Sequence, residues 1–278
     1  MSQLIDRIEE ELIQAIDDDA LILPTLPEVA IRVRDAAENP DIGTQALSRV
    51  ISNDAALAAR LIKVVNSPLL RGNREINDLQ SAIDRLGINY TCSLAIGLAM
   101  EQMFQATNEA VDQALRQVWT KSTEIAAISQ ALCRHFTRLQ PDQATLAGLV
   151  HQIGVLPILA YVEERELTLV DAVSLTHVIE RLHPRLGERI LRAWDFPEAI
   201  ATVPAQMGDF TRDSPRVDYV DVVQVAILQS LLGTRHPLTE LDWASVPAFA
   251  KLGFDPKADI QSDEDIQGAL RVAMSMLQ

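Results

Sequence analysis

The sequence predicts an all-α protein, a multi-helix bundle preceded by an N-terminal helical subdomain. Alanine and leucine recur at helical spacing through nearly the whole chain, alternating β-branched runs are almost absent, and aromatic residues make up only 4% of the composition. With 48% hydrophobic and 23% charged residues over 278 positions, the chain has the composition of a soluble globular protein with material for a sizeable core.

In chain order, Leu4, Ile5, Ile8, Leu12, Ile13 and Ile16 recur every three or four residues and predict a first amphipathic helix. The acidic triplet Asp17, Asp18 and Asp19 opposes the helix dipole and predicts fraying at its end. Residues 23–27 cannot be helical, because Pro24 and Pro27 fix their own φ and push the preceding residue towards extended geometry. They predict a strap across the bundle, with Leu23 and Leu26 buried beneath it.

Helical signals resume at 28–37, then at 45–52 with Thr44 as cap, then at 55–65. Asp78 should cap a helix that stops at Gly87 in a left-handed conformation, and 89–105 should follow, buried at Leu94, Ala95, Leu98 and Met103. A long helix over 111–136 carries Trp119 and the small residues Ala126, Ala127 and Ala131, which allow a second helix to approach closely. Further on, 170–182 and 185–194 read as a helix pair separated by His183 and Pro184, with Pro197 opening a short helix. Residues 207–216 read as a loop, and 218–232, 243–252 and 262–277 as helices.

The centre of the chain is the run 145–161, TLAGLVHQIGVLPILAY, whose apolar residues fill most faces of one or two helices. Gly148 and Gly154 let neighbours approach closely, and one histidine, His151, sits in the middle. A histidine followed by an acid here would pair a neutral nitrogen with a charged oxygen, as a hydrolytic divalent cation requires. The residue that follows is Gln152, whose amide oxygen carries no charge and binds such an ion weakly.

Several separate motifs in the right order resemble the HD phosphohydrolases and, over the whole chain, their non-catalytic relatives, the HDOD (HD-related output domain) proteins. They are LPTLPEV at 23–29, NSP at 66–68, Ile76, Leu79, Ala82, Ile83, Leu86 and Gly87, then Trp119 and Ser122. LAGLVHQIGVL at 146–156, His183 with Leu186 and Gly187, and WDFP at 194–197 complete the set. The resemblance implies an HD-like bundle, and the HDOD domain would occupy 21–215, as a helical subdomain 21–105 and a bundle 106–215. Residues 1–20 would be a separate helix, and 216–278 a helical extension packed on the bundle.

It also implies where metal ligands would stand in the hydrolases. Lys121 occupies the place of the first histidine, His151 and Gln152 that of the His-Asp pair, and Ile227 that of the late aspartate, while His183 is kept. An ammonium has no lone pair for a metal, and isoleucine coordinates nothing. Three of the four core ligands are thus replaced, which predicts no metal, no cofactor and no catalysis. Lys121, near Gln152, would substitute a fixed positive charge for the cation. His177 and His183 lie six residues apart on a helix, too far round the axis to converge.

The 39 acidic against 24 basic residues, a net charge of −15, disfavour general nucleic-acid binding. Arg60, Lys63, Arg71 and Arg74 form the most basic local region, either an anion or partner contact or a solvated face balanced by Glu75, Asp78 and Asp84. Glu163 and Glu164 read as solvated acids, and His135 beside Cys133 as a helix-end surface residue. Cys92 and Cys133 are far apart in apolar helical contexts and read as reduced, packed thiols. The acidic start lacks the basic-then-apolar pattern of a secretory signal, so a cytoplasmic protein without membrane association is expected. The expected role is bacterial signal transduction through protein partners met in trans. The alternatives are a divergent metal-dependent phosphohydrolase and a sensor of a nucleotide or small anion in the vestigial pocket.

Overall fold

The computed structural model describes residues 23–39, 41–67, 75–165 and 172–260, with isolated positions at 10, 11, 13, 14, 18 and 267. Helices and no strands are present among these residues. Apart from those isolated positions, the predicted helices within 1–20 and 262–277 lie outside the described residues, as do Arg71 and Arg74.

The first helices follow local signals closely. α1 (Glu28–Ala37), α2 (Thr44–Ile51) and α3 (Ala55–Val65) are joined by short turns. Asp54 caps α3 by accepting a hydrogen bond from the Leu57 amide at 2.9 Å, and Asp78 caps α4 (Leu79–Leu86) through the Ser81 amide at 2.8 Å. Thr44 is not the cap of α2: Gly43 holds that position, and Thr44 is the first helical residue. Gly87 has the positive φ expected of it, 85°, but with an extended ψ of 153° it both ends α4 and starts α5 (Ile88–Met100) directly. Every residue of α5 from Thr91 onward is buried, a 3-10 turn over Glu101–Met103 follows, and Met103 itself is only half-buried.

The strap over 23–27 is non-helical, as expected, and Leu26 is buried, but Leu23 is only partly buried, packed against the edge of the core. Trp194 holds it, donating from Nε1 to the Pro24 carbonyl at 3.0 Å. Asn66 closes the other notable loop: its side chain donates to the Ile76 carbonyl and accepts from the Ile76 amide, at 2.6 and 2.9 Å.

The bundle is built on α6 (Glu109–Phe136), capped by Asn108, and α7 (Pro141–Val150), the most extensively packed helix pair in the structure. Gly148 explains how close they come: a Cβ there would lie 2.4 Å from the Ala126 Cα. α8 (Val155–Glu164) follows after a turn, so 145–161 is two helices with His151 at their junction. The stretch Pro141–Glu164 is apolar enough to cross a membrane by composition alone, yet 83% of its most apolar window is buried by protein.

α9 (Ala172–Ala193) runs straight through His183 and Pro184 as one helix, correcting the expected pair. Proline costs a helical hydrogen bond, but the backbone at this point is packed against the turn after α7. A Cβ on Gly154 would lie 2.0 Å from the His183 carbonyl oxygen and 2.5 Å from the Gly187 nitrogen. α9 ends at Ala193, and the turn beyond it passes through Asp195, whose φ is 53°, with Phe196 N bonded back to Leu191 O at 2.9 Å.

Two four-residue helices follow, α10 (Glu198–Ala201) and α11 (Val203–Gln206), then the expected loop and α12 (Tyr219–Ser230), which opens with an Asp218/Asp221 capping box. The expected helix over 243–252 is a 3-10 turn, Trp243–Ser245, and a separate α13 (Pro247–Leu252). One continuous apolar core extends from Leu26 to Ile260.

Candidate functional site

The site is assembled by the two glycine contacts. Gly148 seats α7 on α6, which carries Lys121, and Gly154 seats the following turn on α9, which carries His183. Gly154 itself has φ −66° and ψ −7°, a conformation open to any residue, so space rather than backbone geometry demands glycine here. Gly154→Ala should therefore push two backbones apart and cost about 3 kcal/mol, measured as the change in urea unfolding free energy. A loss below about 1 kcal/mol would mean that the two segments separate freely.

Between these elements and α12 lies a cleft of about 540 Å³, lined by all five residues singled out from the sequence: Lys121, His151, Gln152, His183 and Ile227. His151 is 2% exposed, and its Nδ1 lies 2.6 Å from the Gly148 carbonyl oxygen. Burial pushes its pKa down to about 4, with His183 and Lys121 adding to the effect. His183 is also buried, its Nδ1 has no hydrogen-bond partner, and burial lowers its pKa to about 4. Both rings are neutral at pH 7. Lys121 does not direct a free charge into the cleft, because its ammonium pairs with Glu124, one turn along α6, at 2.9 Å.

The remaining sites fall elsewhere. His177 is exposed while His183 is buried, so the two do not converge, and His135 is exposed at the end of α6. Arg60 is held by an ion pair with Glu101 and a hydrogen bond to the Leu98 carbonyl, not by the three acids the sequence suggested. Lys63 stands exposed on the same helix. Cys92 and Cys133 are buried free thiols, and burial raises the pKa of both. Glu163 is more than a solvated acid. It accepts from the Thr107 amide and hydroxyl and from the Asn108 amide at 2.6–2.7 Å, so its pKa falls and it ties α8 to the start of α6.

Sequence reasoning missed the part of the wall built by Phe210, Leu231, His236 and Leu238, and it missed Glu180. Glu180 precedes His183 by three residues on a helix, a spacing that places both on one face and could have pointed to it. The others stand outside regular α-helix, where no periodicity signals direction.

The donor set does not fit the metal that the hydrolase resemblance implies. A divalent cation in hydrolysis needs imidazole and carboxylate ligands converging on one point. Here an engaged ammonium, a neutral amide and an alkyl group replace three of them, and among the described residues no group of three or more His, Cys, Asp or Glu side chains could hold an ion.

Known proteins share this architecture. A protein of Shewanella amazonensis SB2B, provisionally named a metal-dependent phosphohydrolase, is 29% identical with full coverage of both chains and a TM-score of 0.86. An HDOD domain protein of Geobacter sulfurreducens has the same fold at 19% identity, with a TM-score of 0.67 over 100% of this chain and 99% of that one. An uncharacterised protein of Treponema pallidum (strain Nichols) is 24% identical over 208 residues, 70% of this chain. The matched region spans only 38% of that relative's length. Residues 23–208, well over half of the sequence, match the HDOD domain, and the chain belongs to the HDOD family.

Proposed function

We propose that this protein is a non-catalytic regulatory module of bacterial signal transduction that works in the cytoplasm through protein partners. One observation carries this reading: the cleft gathers the positions that the hydrolase resemblance assigns to metal ligands, and Lys121, Gln152 and Ile227 stand where three of those ligands would be. The net charge of −15 argues against nucleic acid as the general partner. HDOD membership supports an output role, since the sequence resemblance is to the non-catalytic relatives rather than to the hydrolases.

Metal analysis of the purified chain, joined to an assay with bis(p-nitrophenyl) phosphate and added manganese, tests this. The expected result is no stoichiometric metal and no hydrolysis above the buffer blank. One transition metal per chain, lost together with hydrolysis in His151→Ala, would overturn the reading and support the name carried by the Shewanella protein.

A further inference from the structure

The cleft is amphipathic, and its two sides come from different elements. α6, the turn after α7 and α9 supply polar groups, Lys121, Gln152 and His183, while α12 and the segments at 207–210 and 236–238 supply apolar ones, Ile227, Met207, Phe210 and Leu238. Phe210, Ile227 and Leu238 are only half-buried, so large apolar surface is left along the cleft. A few polar groups on a mainly apolar wall around about 540 Å³ is the form of a small-molecule site.

The polar side is rich in donors. Lys121 has three N–H groups and gives one to Glu124, in a pair whose side chains are 36% and 26% exposed. A pair this open to solvent holds weakly, so a ligand can share the ammonium. Gln152 adds an amide, and His183, 6% exposed, has an Nδ1 without a partner, so no bond at that atom fixes its tautomer. His151 is tied through Nδ1 to the Gly148 carbonyl and is not counted among the donors. The acid on the wall, Glu180, is exposed, where solvent and salt screen it. One ammonium already shared with Glu124 suits a ligand of single charge better than a phosphate carrying up to two.

We propose that the cleft binds a small amphipathic monocarboxylate, its carboxylate on Lys121, Gln152 and His183 and its apolar tail along Phe210, Ile227 and Leu238. This rests on the reading of the site as metal-free, with Lys121 where a metal ligand would be, and deepens it by naming the class of molecule that the cleft takes.

Calorimetric titration of the full chain at pH 7 with EDTA present provides the test, with octanoate as probe and octanamide as its uncharged counterpart. Octanoate should bind saturably, at least about tenfold more tightly than octanamide. Lys121→Met, a change at a partly exposed position, should weaken octanoate at least about tenfold and leave octanamide unchanged, while Lys121→Arg should keep octanoate within about threefold. Inorganic phosphate should not compete. No binding of octanoate, equal affinity for octanoate and octanamide, full affinity in Lys121→Met, or displacement by phosphate would overturn the proposal and leave the metal-free reading standing. Octanoate binding that appears only when manganese replaces EDTA would overturn both.

Discussion

Lowering the pH from 7 to 5 should cost the folded protein about 4 kcal/mol, about 2 kcal/mol for each of His151 and His183. Both imidazoles have a pKa of about 4 when folded and 6.5 as ordinary side chains, and the main cause is burial. The folded pKa lies below the unfolded one, so the unfolded chain binds these protons more readily. The stabilisation is therefore complete above pH 6.5 and is lost progressively as the pH falls towards 4. Carboxylates held below their usual range, such as Asp112 and Asp209, lose their contribution only at lower pH, so the histidine window stands apart. Urea unfolding at the two pH values measures the loss, and His183→Leu should roughly halve it. A variant with the wild-type pH dependence would rule His183 out as a source.

The second large effect is expected far from the cleft. Asp221, 0% exposed, sits among Arg212 at 3.2 Å, Lys251 at 3.1 Å and the Asp218 amide at 3.1 Å. It thereby joins α12 to the preceding loop and to α13. The two cations are themselves largely enclosed, with side chains 18% and 13% exposed. Asp221→Ala would leave both buried charges undercompensated and should cost about 3–5 kcal/mol. Asp213, also paired with Lys251 but at 3.7 Å and 79% exposed, should cost less than about 1 kcal/mol when replaced by alanine. Thermal and urea unfolding of the two variants checks the contrast. An Asp221→Ala protein as stable as Asp213→Ala would show that solvent reaches the network.

Much of this was legible in the linear chain. Helices 28–37 and 55–65 were expected with the bounds they have, because their start and stop signals are local. Asp54 and Asp78 bond amides three residues away, and such information survives in a short window of sequence. The small side chains at Gly148, Gly154 and Ala126 announced close helix contacts without saying which helices would meet. The five cleft residues were legible through family resemblance alone, since they lie up to 106 positions apart, from Lys121 to Ile227.

The tertiary structure decided what distant groups impose. Pro184 is a helix-breaking signal locally, yet α9 continues through it because the turn at Gly154 packs against its backbone. Arg60 belongs to Glu101, 41 residues away, rather than to nearer acids. The 231–238 segment completes the cleft wall although nothing in its composition points inward. Propensity, capping and periodicity act over a few residues and were sufficient for the helices. Burial, charge pairing and the buried, unpartnered Nδ1 of His183 depend on which segments the folded chain brings together, and that is settled only when the core closes.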